Sequence, residues 1–82
     1  MISKEAILHY VNPVFPSAEI TLIDKTGMMD HYEICIISDR FQEMNRLDRQ
    51  RLVYETLREP MNDGRIHALE IQSQTPQEAL NH

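Results

Sequence analysis

Two histidines, one cysteine and a group of arginines are the side chains whose type and spacing could do chemistry in this chain: His67, His31, Cys35, then Arg46, Arg49, Arg51 and Arg58, with Arg65 nearby. A neutral imidazole can ligate a metal or move a proton. A thiolate can do either or attack, and a guanidinium fork grips carboxylates and phosphates. His67 stands in "GRIHALEIQSQTP", residues 64–76, among apolar neighbours. Three roles are open to it: a packed core histidine, a catalytic base or a ligand. From the pattern alone the simplest is a ring at the rim of the core with one nitrogen bonded to a backbone carbonyl. His31 opens "HYEICIIS", where the simplest reading is an exposed residue at a strand start. Cys35 lies mid-strand between Ile34 and Ile36, which favours a buried, inert thiol. The arginines read first as a solvated helix face. Asp48 stands three residues before Arg51 and Glu55 three before Arg58, so neighbours neutralise much of the patch. The competing reading is a contact for carboxylates or phosphates. No nucleophile–base pair at suggestive spacing and no Gly-rich phosphate loop stands out, so no enzyme is expected.

Composition narrows the setting. At 82 residues with 41% apolar content, one domain over residues 1–82 with a single small core is expected. A net charge of −5 and a pI near 5.2 argue against attachment to nucleic acid by bulk charge. One cysteine leaves no internal disulfide and fits a reducing compartment, so a cytoplasmic location is expected. No apolar run is long enough to span a membrane, and the N-terminal stretch is too short for a signal peptide.

These residues need elements to hold them. Ser3 caps a short helix from about Ser3 to Tyr10 with Ile7, Leu8 and Val11 on one face. "NPVFP" ends it, because Pro13 excludes Asn12 from the helical region. "AEITLID" alternates as a strand from about Glu19 to Asp24, and "KTGMMD" turns around Gly27. "HYEICIIS" follows as an antiparallel partner, with Tyr32, Ile34 and Ile36 on one face and His31, Glu33, Cys35 and Ile37 on the other. Ser38 or Asp39 caps a helical turn holding Phe41 and Met44. Asn45 then caps a helix from about Arg46 to Met61. Leu47, Tyr54, Leu57 and Met61 are spaced for its buried stripe, and Pro60 predicts a kinked last turn. Gly64 serves as a left-handed cap. A strand from about Ile66 to Ser73 puts His67, Leu69 and Ile71 toward the helices and Ile66, Ala68, Glu70 and Gln72 toward solvent. "TPQE" is a helix start with a capping box. The order predicts an α+β fold, α-β-β-α-α-β-α: a three-stranded mixed sheet with helices packed on one face. Its strand–helix–strand unit should be right-handed.

Three stretches together resemble the BolA-like family, in particular its short acid-stress branch, the IbaG-like proteins. "HYEICIISDRF" is similar to the family's His-aromatic strand followed by Ser-x-x-Phe. "RQRLVYETL" is similar to its helix, with Gln50 where a histidine is usual. "RIHALEIQSQTP" is similar to its closing Ile-His-Ala-Leu strand. The match covers nearly everything from about Asp30 to Pro76. It departs at Phe41-Gln42-Glu43, where the family has Phe-x-Gly, and in the loop before His31, where Met28 or Met29 stands in place of a further His or Cys.

The resemblance implies a type II K-homology-like fold and partnership with a monothiol glutaredoxin. It implies a [2Fe-2S] cluster shared with that partner and glutathione, one that the isolated chain does not bind. It implies His67 as ligand and His31 as a second ligand or a residue behind one. Imidazole in place of thiolate raises the cluster's potential and makes it acid-sensitive. The arginines Arg46, Arg49, Arg51 and Arg65 then become contacts for the partner or for DNA, since transcriptional control under stress is the family's other attributed role. A true K-homology clamp needs a Gly-x-x-Gly loop. The two glycines, Gly27 and Gly64, do not lie between the central helical segments, which favours the glutaredoxin reading. No membrane partner is expected, and alone the chain is expected as a monomer or weak dimer.

Overall fold

In the computed structural model, which describes residues 1–81, the chain is built around the strand richest in β-branched residues. This is β2, His31–Ile37, the middle strand of three. β1, Glu19–Asp24, lies antiparallel on one side of it with Glu19 opposite Ile37. β3, Ala68–Gln74, lies parallel on the other side with His31 opposite Ala68. The β1–β2 turn is organised by one carboxylate: Asp24 accepts from the backbone N–H groups of Thr26, Gly27 and Met29 at 3.3, 2.9 and 3.2 Å. Gly27 takes the positive φ of +77° that this loop requires.

Alternation along β2 sorts its side chains. Tyr32, Ile34 and Ile36 are fully buried, whereas His31, Glu33, Cys35 and Ile37 lie half-exposed on the open face. The buried face meets α1, Lys4–Val11, through Ile7 and Val11, and the central helices through Val53 and Leu57. Ser3 caps α1 as expected, its side chain accepting from the Ala6 N–H. Phe15 and Phe41 close the core with ring centroids 5.3 Å apart.

The central helix is broken. α2 spans Arg46–Thr56 and α3 spans Arg58–Asn62, with Leu57 between them. Pro60 supplies the reason: it has no N–H for the Thr56 carbonyl and its ring crowds that carbonyl, so α2 stops four residues before the proline rather than at the last turn. The expected stripe also shifts. Leu47 and Tyr54 are 58% and 42% exposed, and Val53 takes the buried place beside Leu57. Gly64, at φ +85°, turns the chain toward β3.

β3 starts two residues later than the alternation predicts. Ile66 is therefore in the core rather than on the solvated face, and His67 stands outside the strand instead of turning toward the helices. α4, Pro76–Leu80, begins with the full capping box of Thr75 and Glu78. No helix among the described residues is long and apolar enough to cross a membrane.

Candidate functional site

His67 is fastened by its backbone and exposed at its ring. Its N–H donates to the carbonyl of Asp30 at 2.7 Å, and that carbonyl also receives the Ala68 N–H at 3.4 Å. The residue just before β2 thus pins the residue just before β3. The His67 side chain is 67% exposed. Its Nδ1 lies 3.5 Å from Asp30 Oδ2, an approach from behind that leaves Nε2 on the opposite side of the ring. A carboxylate behind an outward imidazole is the arrangement that orients histidine ligands.

His31 is at the same end of the sheet but is engaged. Its Nε2 is 3.1 Å from Glu70 Oε2, and Lys25 Nζ stands 4.0 Å from the same oxygen. Among the described residues no three His, Cys, Asp or Glu side chains converge as a metal site. Cys35 sits further along the open face of β2, half-buried, and burial together with the nearby Glu33 pushes its thiol pKa up. The donor set of this end is one accessible imidazole. It fits a single ligand position on an iron–sulfur cluster whose other ligands come from elsewhere.

The arginines divide sharply. Arg49 is 13% exposed. Its Nε donates to the Met44 carbonyl at 3.0 Å, and its two terminal nitrogens reach Glu78 at 2.7 and 3.3 Å. Glu78 is held down to about 2 by that Arg49 bond first and then by the Thr75 N–H at 2.7 Å. Arg65 is likewise occupied, by Asp63 at 2.8 Å, by the Tyr10 hydroxyl at 3.1 Å and by Glu59 at 3.5 Å. Of the four expected contact arginines, Arg49 and Arg65 therefore serve the fold instead of offering a free guanidinium. Arg51 is exposed and 3.9 Å from Asp48, a loose pair. Arg46 is exposed and makes no ion pair among the described residues.

Two partners escaped the sequence reading. Asp30 behind His67 was legible only through the parallel register of β2 and β3. The Arg49–Glu78 lock joins residues 29 positions apart, and only half of it, the Thr75–Glu78 box, has a local signature.

Known proteins resemble both the sequence and the fold. Residues 11–78 match the family described as BolA-like protein. A BolA-like protein of Dictyostelium discoideum is 30% identical over 80 residues, covering 89% of this chain and 67% of that protein. The acid stress protein IbaG of Escherichia coli K12 is 36% identical over 53 residues, 65% of this chain and 63% of that protein. Mouse BolA-like protein 1 is 44% identical over 50 residues, 61% of this chain, and the match spans only 36% of that longer relative. Among solved structures, BolA1 from Arabidopsis thaliana superposes with a TM-score of 0.84 at 31% identity, over 94% of this chain and 98% of that one. The family match runs through both β2 and the strand that His67 precedes, and a solved relative shares the whole fold: the chain belongs to the BolA-like protein family.

Proposed function

We propose that this chain is a partner module for a monothiol glutaredoxin, contributing one ligand to a [2Fe-2S] cluster that the glutaredoxin and glutathione otherwise hold, in iron–sulfur trafficking and the stress response. The observation that carries the reading is His67: an imidazole 67% exposed, backed by Asp30 and fixed through its own N–H. Such a group is presented outward without cost to the core. The reading assigns the chain no reaction of its own and places it in the reducing cytoplasm. The type II K-homology-like arrangement is the frame proposed for this module.

Anaerobic mixing of the chain with a monothiol glutaredoxin, glutathione, iron and sulfide tests it. The visible circular dichroism of the mixed complex is expected to differ from that of the glutaredoxin cluster alone, and His67→Ala is expected to abolish the difference. Spectra unchanged by His67→Ala would overturn the ligand role. His31→Ala is expected to have the smaller effect, because Glu70 already holds that ring.

A DNA-binding regulator is the second reading, favoured by the outward Arg46 and Arg51 of α2. It predicts a steep salt dependence of binding that softens when either becomes alanine. Absence of binding above background at low salt removes it.

A further inference from the structure

We propose that the free edge of β3 docks a short extended peptide bearing an acidic group, by strand addition over Ile71–Ser73 with the carboxylate on Arg46. β3 lies at the edge of the sheet with β2 as its strand neighbour. The Gln74 carbonyl faces β2, accepting the Ser38 N–H at 2.9 Å. Alternation then turns residues 69, 71 and 73 to the free edge. Their carbonyls are met from α2: Leu69 by the Tyr54 hydroxyl at 3.4 Å, Ile71 by Gln50 Nε2 at 3.3 Å, and Ser73 by Arg49 Nη1 at 3.4 Å. A residue's N–H points to the same side as its carbonyl, so the Ile71 and Ser73 N–H groups face that edge too. The side chains that α2 sends there are donors to carbonyls; none of the three accepts from these N–H groups.

A groove of about 600 Å³ opens at this place, lined by Ile71 and Ser73 together with Arg46, Gln50 and Gln72. Glu78 also lines it, but its charge is taken by Arg49. Among the described residues, what remains is a pair of backbone donors about 6.6 Å apart along the edge and one cation without an ion pair, Arg46. An extended peptide matches both, with backbone carbonyls at strand spacing and a carboxylate for Arg46. Single-stranded nucleic acid would need a track of cations along its phosphates. Leu69 and Tyr54 are outside the groove, so the occupant is short, two or three residues in contact. Ile71 lies four residues beyond His67, about 13 Å along an extended chain, so this site is separate from the proposed ligand and does not depend on it.

The probe is an acetylated hexapeptide amide, Thr-Val-Thr-Val-Thr-Asp, titrated into the isotopically labelled chain and followed by amide NMR. The largest shifts are expected at Ile71 and Ser73, with a Kd of about 1 mM. Replacing the peptide's aspartate by lysine should weaken binding about threefold to fivefold, and Arg46→Ala should erase that difference. Ser73→Pro removes one edge donor without touching the β2 ladder and should weaken binding about threefold to tenfold. If that variant does not fold, the Arg46→Ala comparison decides alone. Four results would overturn the proposal: no shift at Ile71 and Ser73, equal binding of the two peptides, shifts that follow protein concentration and so mark a second copy, or tighter binding of hexathymidylate at the same amides.

Discussion

β3 is bounded by two unlike ends. At its start, His67 gives its backbone to Asp30 and keeps its ring in solvent. Past its finish, Thr75 and Glu78 bond each other's backbone, and Glu78 then locks onto Arg49 of α2. Both ends carry ionisable side chains near the surface. At the finish they are spent on closing the fold. At the start the His67 backbone closes the fold, and the ring keeps only its 3.5 Å approach to Asp30, so its outer nitrogen stays available. Charge and exposure do not mark a site by themselves; what matters is whether the backbone has already done the structural work.

The largest expected break in that contrast is His67→Ala. It should abolish the cluster signature formed with a glutaredoxin while moving unfolding stability by no more than about 0.5 kcal/mol, as read by urea denaturation. A large stability loss would show that the ring is structural after all. Arg49→Ala should do the reverse, leaving the cluster signature intact and costing about 1–3 kcal/mol in the same denaturation experiment. Arg49→Lys should recover little of it, because an ammonium cannot reproduce the bidentate grip on Glu78.

Acid sharpens the same contrast. Glu78 has a folded value of about 2 against an ordinary 4.5. Its contribution is therefore fully present above about pH 4.5 and is lost as the pH falls toward 2. Glu78→Gln should remove that segment of the stability–pH curve, measured by thermal unfolding at a series of pH values. The smallest effect belongs to Arg51→Ala, within about 0.5 kcal/mol, since its pair with Asp48 is loose and exposed.

The sequence was legible wherever local chemistry decides. Ser3, Ser38, Asn45 and Thr75 each cap the helix they announce, and Gly27 and Gly64 each take a positive φ. β1 and the faces of β2 follow from alternation because one side of the sheet is buried and the other is not. Failures came where distant packing decides. Leu47, Tyr54, Leu57 and Met61 form as regular a helical stripe as the true one, and only contact with the sheet selects Val53 and Leu57. At His67 the alternation begins two residues ahead of the true strand, since nothing local says where pairing with β2 begins. Arg49 shows the same limit: its guanidinium looks free in the sequence until Glu78 arrives from another element.

Cys35 gives the open face of the sheet a further property. Burial, aided by the nearby Glu33, keeps its sulfur protonated at neutral pH. Exchange with disulfides runs through the thiolate, so this sulfur is a slow nucleophile. Its capping by external disulfides is correspondingly slow, so its redox state lags that of its surroundings. Alkylation of Cys35 by iodoacetamide at neutral pH should accordingly be slower than that of glutathione in the same tube; an equal or faster rate would refute this reading.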